Sequence, residues 1–520
     1  MGVAGEAPFC KKGPPLTPPP KTPIFCKRFQ RLRDTRPARR APTTYQSQWT
    51  MQLPRWSLVP RMRFTQSRCP DWFVLVACVL AIRVPFEIWA RSAPFTNDEY
   101  GYWSIAKSFI ETGEFDISWP PVTSALLAAI SCFGGSLHDA RLIWSLADVA
   151  NIALLYILLS RFLERPVPLI AGILYTLYVP AISFASFATS EIPAMLFFLA
   201  SACLLVDPRG PIGFGRLLAG GALIGLLVLT RSSLAVLGLW TAFMASPATI
   251  RKGKVPGRAL SVCVALILST SVVALWVTRN YLAHGGFTIA TNVAYNLYLG
   301  NQPHYSEDLN LFHPLPTQAQ IQDRKQLHKG EVTEERELVS DQEMQSRAIA
   351  FITDNPLLFA RRALGRLARV FVPKTAQLQL LGSESDNPWF SAPSLALLVS
   401  SNLLYGLALF GGWAGIILCG PSDREKKFRL FALGVLAGTS ALCTVAISKP
   451  RYSFPSDPIL IAGLAWLLVN SRQAMLQVKS KTLVALIGGW VFFGWSWTAW
   501  LIWSFMTRAA VYAGNFGKFW

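Results

Sequence analysis

Trp72-Phe73-Val74-Leu75-Val76-Ala77-Cys78-Val79-Leu80-Ala81-Ile82-Arg83-Val84-Pro85-Phe86-Glu87-Ile88-Trp89-Ala90 is an apolar run long enough to cross a bilayer core. Just beyond its end, Thr96-Asn97-Asp98-Glu99-Tyr100 sets two carboxylates at the membrane face. A polar loop can carry two acids to no purpose, so the pair alone decides nothing. Its weight comes from what the rest of the chain places on the same side.

With 52% hydrophobic and only 15% charged residues over 520 positions, the composition is that of a polytopic helical membrane protein rather than a soluble enzyme. The 18 tryptophans and 13 tyrosines suit side chains at headgroup level or in the packing of a bundle. The net charge of +20 resembles a nucleic-acid signal until it is located. Residues 1–68 hold fourteen Lys or Arg against Glu6 and Asp34, so +12 of it precedes the first span, and no nucleic-acid partner is implied. Residues 1–70 read as a disordered, Pro-rich, basic cytoplasmic tail held near anionic lipid. An open alternative is a true translation start at Met51 or Met62. The nine cysteines form neither a disulfide framework nor a CxxC site, and Cys78, Cys203, Cys263 and Cys443 fall inside apolar runs.

Apolar stretches recur at about 72–90, 141–160, 166–184, 191–206, 213–229, 232–247, 257–277, 391–419, 428–447, 454–471 and 482–505, which predicts about eleven transmembrane helices. The pair 213–229 and 232–247 is short enough to form a tight hairpin. Loops rich in Lys and Arg stay cytoplasmic. With the N-terminus inside, the loops at 161–165, 208–216, 251–258, 424–429 and 472–481 are all net basic and all inside. The segments 91–140, 189–191, 230–231, 278–390 and 448–453 are then outside. The chain divides into the tail, an N-terminal transmembrane module at 71–277 with its first outer loop, a long outer loop at 278–390, and C-terminal helices at 391–520.

Within the first outer loop, Gly101–Thr112 has helical apolar spacing, Gly113 is suited to end it, and Val122–Phe133 is a second piece too short to span. Both are expected along the membrane surface, roofing a cavity. In the long loop, Phe287–Gly300 reads as extended, 318–354 as helical, and Leu357–Phe371 as a basic amphipathic helix. The arginines of that last helix, Arg361, Arg362, Arg366 and Arg369, suit lipid phosphates or ordinary snorkelling.

Polar residues cluster at the outer ends of the spans: Asp98 and Glu99, Glu191, Arg231, Arg279, and Lys449 with Arg451. Carboxylates can take a proton from a hydroxyl or hold a divalent cation, and Arg and Lys can hold a phosphate. Together they suit transfer of a group from a phosphate-linked lipid. Each cation alone is equally an interfacial flank of a helix, although on this side the positive-inside bias works against one. The five histidines show no metal-ligand spacing, and no phosphate-binding glycine loop of the GxxxxGK type is present. The reading that competes is a lipid-linked glycan flippase or transporter. Such a protein buries ionisable groups near mid-membrane, for which Arg83, Glu87 and Asp148 are the few candidates.

The order of several short motifs resembles a known family. Asn97-Asp98-Glu99-Tyr100-Gly101-Tyr102, Gly113, Trp119-Pro120-Pro121, Arg141 and Thr189-Ser190-Glu191-Ile192-Pro193 follow the N-terminal pattern of bacterial family 39 glycosyltransferases. Leu229-Thr230-Arg231, Thr278-Arg279-Asn280-Tyr281, the run from Thr291-Asn292 through Asn296-Leu297 to Gly300-Asn301-Gln302-Pro303, and Arg451-Tyr452 extend the likeness over about residues 70–470. These are membrane enzymes of the GT-C fold, related to protein O-mannosyltransferases and the lipid A aminoarabinose transferase. The resemblance implies a GT-C bundle in a bacterial inner membrane with its active site periplasmic. It implies a polyprenyl-phosphate-linked sugar as donor, a glycan, lipid or protein as acceptor, and inversion at the sugar. It makes Asp98, Glu99 and Glu191 the catalytic acids, with Asp98 as general base or, with Glu191, as holder of a divalent cation. Tyr100, Arg231, Arg279, Asn301, Lys449 and Arg451 become substrate-binding residues. Trp119 stands where the aminoarabinose transferases carry a Lys, which weighs against lipid A as acceptor. The missing extra domains of the eukaryotic mannosyltransferases weigh against protein.

Overall fold

The computed structural model describes residues 71–90, 95–249, 257–302, 334–374, 392–420, 422–476, 478 and 480–516. The basic tail and its alternative starts lie outside them, as do 303–333 and 375–391 of the long loop. Among the described residues the chain is helical throughout, apart from a two-residue parallel pairing of Ile212–Gly213 with Ala248–Thr249.

Helix occupies every one of the eleven apolar segments. Six helices are long and apolar enough to cross a membrane, up to seven if a bent pair counts as one span. The others fall short for physical reasons. Asp71–Ala90 has the length but carries Asp71, Arg83 and Glu87, while Glu191–Leu205, Phe214–Thr230 and Ser232–Phe243 are shorter apolar helices. The expected span at 166–184 is the bent pair, Val167–Leu177 and Val179–Ala185, turned through 61°. Pro180 has no N–H to continue the ladder across Tyr178, so the helix breaks there. The short pair is a hairpin, as its spacing allowed: Phe214–Thr230 ends, Arg231 adopts extended backbone, and a 3-10 turn at Ser232–Leu234 leads into Ala235–Phe243.

Helices close on one another through small residues. A Cβ at Gly221 would stand 2.9 Å from the Ala265 carbonyl, and one at Gly225 2.9 Å from that of Ser269. The four-residue spacing on both helices brings the backbones of Phe214–Thr230 and Arg258–His284 into direct contact, as small residues do where no hydrophobic effect drives helices together. The outward face of Arg258–His284 is apolar, with Ile267, Leu275 and Leu282 exposed. Such a face is stable against acyl chains and not against water.

The basic loops at 161–165, 208–216 and 424–429 lie close together. Lys427 donates to the Pro208 carbonyl at 3.3 Å, and Arg161 and Arg216 donate to carbonyls at Val206 and Cys203. At the opposite end the first outer loop folds as expected. Thr96 caps the Asn97–Thr112 helix in a reciprocal box with Glu99, Gly113 ends it with φ 80°, and Pro121–Cys132 follows.

The long loop departs from its reading twice. Phe287–Gly300 is not extended, since Asn292–Gly300 is helical. Its Tyr298 is buried against Met344 and Ala348 of the Glu334–Asp354 helix, and that packing overrides local β propensity. The basic helix, Pro356–Val370, turns three of its four arginines inward: Arg362, Arg366 and Arg369 are buried, and Arg361 is exposed. Arg366 donates to the carbonyls of Thr444 at 3.0 Å and Val445 at 2.9 Å, and to Gly300. Thr444 and Val445 end the Asp423–Val445 helix, where carbonyls have no helical partner, and a guanidinium supplies the missing donors.

Buried ion pairs stand among the helices. Arg83 meets Asp148 at 3.1 Å. Lys374 meets Asp457 at 2.9 Å, with the Tyr178 hydroxyl donating to the other Asp457 oxygen at 3.0 Å and the Tyr405 ring under the ammonium.

Candidate active site

At the end of the bundle away from the basic loops, a cavity of about 510 Å³ is lined by Asp98, Arg231, Lys449 and Arg451, with Tyr102, Trp119 and Tyr452 among its other walls. The charged groups arrive from the ends of three elements. Asp98 sits in the first turn of the capped Asn97–Thr112 helix. Arg231 is at the elbow of the helical hairpin. Lys449 and Arg451 lie at the start of the 3-10 turn Pro450–Ser456, just past the helix end that Arg366 holds.

Arg451 is the centre of the charge network. It donates to Asp98, and its Nε stands 3.6 Å from Glu191. Glu191 also pairs with Arg231 at 2.7 Å, and the Arg231 guanidinium lies over the Tyr452 ring, a stacking available to arginine and not to lysine. Two carboxylates thus face three cations. Lys449 is the one in excess: among the described residues it makes no hydrogen bond or ion pair, although it is half-buried. Burial, with the like charge of Arg451 beside it, pushes its ammonium below the ordinary lysine value. A nearly complete charge balance with one unpaired cation on the cavity wall is a seat for an anion.

The sequence-based assignments separate on this geometry. Asp98, Arg231, Lys449 and Arg451 are brought together on the cavity. Glu191 is buried and contacts both the Arg231 and the Arg451 guanidinium groups.

Glu99 does not join the residues that line the cavity. It is fully buried and away from the cavity lining, and its oxygens are consumed by Arg141 at 2.9 Å on each, by the Ala188 N–H at 2.9 Å and by the Thr96 N–H at 2.8 Å. One residue on along a helix means a turn of roughly 100°, so the two neighbouring acids point to different surroundings.

Three further expected substrate contacts lie off the cavity. Tyr100 is exposed and packs its ring against Phe95. Arg279 donates to the Phe115 carbonyl at 3.1 Å and covers the Trp276 ring. Asn301 is buried, donating to Leu297 and Val445 carbonyls and accepting from Arg366. For a divalent cation, Asp98 and Glu191 were the expected ligands, but both are paired to Arg451. Among the described residues no group of three or more His, Cys, Asp or Glu stands close enough to hold a metal.

Tyr102, Trp119, Asn292, Tyr295 and Asn296 also line the cavity; the sequence reading named all but Tyr295 within motifs and gave none of the five a substrate-binding role. Burial keeps the Tyr102 phenol well above its ordinary value, so it stays a neutral donor. The signal for the α-helical trio was its i, i+3, i+4 spacing, hidden while that segment read as extended.

No family model matches the chain, and no curated protein matches it. Solved structures do. One is the archaeal oligosaccharyltransferase AglB from Archaeoglobus fulgidus in complex with an inhibitory peptide and a dolichol-phosphate, at a TM-score of 0.41 and 13% identity over 82% of this chain and 55% of that one. Another is ArnT from Cupriavidus metallidurans in the apo state, at 0.32 and 15% identity over 76% of each chain. The chain spans about half the length of the oligosaccharyltransferase it matches. Likeness of this degree carries no argument about the site, which stands on its own geometry.

Proposed function

We propose that this protein is a membrane glycosyltransferase that takes a sugar from a polyprenyl-phosphate donor and passes it, with inversion, to a hydroxyl on the periplasmic side of a bacterial inner membrane. The observation that carries this reading is the unpaired Lys449 beside Arg451 and Arg231, on one cavity wall with a carboxylate. Cations in that number suit a lipid phosphate, and a carboxylate among them suits proton abstraction.

In the resting site Arg451 holds Asp98. An arriving phosphate offers the guanidinium a second anion with bidentate geometry, and Lys449 adds its charge. Asp98 is then free to accept the proton of the acceptor hydroxyl while that oxygen attacks the anomeric carbon. The bond from that carbon to the phosphate oxygen breaks with its electron pair, and the departing lipid phosphate is stabilised by Arg231, Lys449 and Arg451. One displacement on one face inverts the centre. Glu191 keeps the two arginines in register throughout.

The test is to incubate purified full-length protein with a panel of radiolabelled undecaprenyl-phosphate sugars and follow release of the lipid phosphate. Consumption of at least one member supports the reading. Binding with transport across proteoliposomes and no bond cleavage replaces it by the flippase reading.

A further inference from the structure

The wall of the cavity that carries no charge has a chemistry of its own. Asn292, Tyr295 and Asn296 share one face of the Asn292–Gly300 helix and all reach the cavity. Asn292 and Asn296 are half-buried, and among the described residues no hydrogen bond engages either side-chain amide. The start of this helix is tied to the first outer loop: the Thr291 N–H donates to the Ile117 carbonyl at 2.9 Å and the Asn292 N–H to Ser118 at 3.2 Å. The next residue along that loop is Trp119. Its ring stands edge-to-face on Tyr102 with centroids 4.4 Å apart, and the proline after it restricts its backbone. A rigid indole and two unpartnered amides therefore face one space, held at fixed separation by backbone hydrogen bonds.

This combination discriminates between ligand classes. An anion would be served by the opposite wall. An acyl chain would leave two half-buried amides desolvated without partners, at a cost. A sugar ring satisfies both features, because an amide offers a donor and an acceptor side by side to neighbouring hydroxyls, and an aromatic face covers the apolar face of the ring. The volume of about 510 Å³ falls within the range of ligand pockets.

We propose that Asn292, Asn296 and Trp119 form a subsite for a polyhydroxylated sugar ring beside the charged wall. The inference rests on the reading of the cavity as a sugar-phosphate site and adds where the sugar is recognised. The ring belongs to the donor or to a glycan acceptor, and the experiment separates the two.

Full-length protein in lipid nanodiscs is titrated with undecaprenyl phosphate, with undecaprenyl phosphates bearing glucose, mannose, galactose or arabinose, and with the methyl glycosides of the same sugars. The wild type prefers at least one sugar-bearing ligand. The N292A/N296A double variant loses about tenfold of that preference, as expected for two hydrogen-bonding side chains, while its affinity for undecaprenyl phosphate is unchanged and attests the fold. Asn296→Gln, which moves the amide by one methylene, gives a smaller loss on the same ligand. Loss on the lipid-linked ligand assigns the ring to the donor, and loss on the methyl glycosides alone assigns it to the acceptor. The subsite is overturned by a preference of wild-type strength in the double variant, or by no sugar dependence in the wild type. No binding of undecaprenyl phosphate with sugar discrimination intact overturns the donor reading alone.

Discussion

Two of the groups of buried charges in this bundle are built on opposite plans. Lys374 and Asp457 are both almost fully buried and closed: the ammonium has its carboxylate and an aromatic face, and the carboxylate has its ammonium and the Tyr178 hydroxyl. The group at Asp98, Glu191, Arg231, Arg451 and Lys449 is open. Its Asp98 keeps 26% of its side chain exposed, it faces a cavity, and it has one cation more than its carboxylates can pair. A closed group has nothing left to offer a ligand and acts as a clamp. An open group stores binding capacity.

Breaking a clamp gives the largest effect on stability. Asp457→Asn leaves Lys374 buried without its anion and is expected to cost about 3–5 kcal/mol, read as a fall in the unfolding midpoint in detergent. The double replacement Lys374→Met with Asp457→Leu restores most of it. A single variant as stable as wild type would show that the pair is not the clamp described.

Glu99→Gln comes next. It weakens the pairing with Arg141 and is expected to lower folded yield by a similar mechanism. Turnover per folded molecule falls far less than in any variant that removes the group taking the acceptor proton. A folded Glu99→Gln protein with no turnover would return Glu99 to the chemistry.

On the open side, Arg451→Ala is expected to weaken undecaprenyl phosphate binding by about tenfold to a hundredfold, as for loss of one charge-assisted contact. Raised salt reduces the wild-type affinity and leaves the variant less affected. Unchanged affinity in Arg451→Ala would detach the cations from the phosphate. The smallest effect is reserved for the tail: deleting residues 1–61 is expected to leave binding and turnover unchanged, and lost turnover with normal membrane insertion would give the tail a role.

The open site was largely legible in the sequence because its members sit at helix ends. A span boundary fixes the depth of a residue, and alternating basic loops fix its side, so Asp98, Arg231, Lys449 and Arg451 could be grouped before any coordinates. Direction was not legible. Asp98 and Glu99 share a boundary, yet one faces the cavity and the other is locked to Arg141, because adjacent residues leave a helix at different angles. Arg279 and Asn301 sit at the expected depth and turn to carbonyls instead. The clamp at Lys374 and Asp457 was hidden for another reason: its partners are 83 positions apart, and neither has a local pattern that announces the other. The surface helix at Pro356–Val370 shows the same limit. Its basic face reads as lipid-facing from the sequence alone, whereas the unpartnered carbonyls at Thr444 and Val445 draw Arg366 inward.

The most direct measurement of the central claim is the turnover of Asp98→Asn with a saturating undecaprenyl-phosphate sugar that the wild type consumes, alongside the affinity of the same variant for undecaprenyl phosphate. The account predicts that transfer falls by a factor of about 10²–10⁴, the usual share of a general base, while lipid-phosphate affinity holds or rises as Arg451 is released from its carboxylate. Full turnover in Asp98→Asn would contradict it.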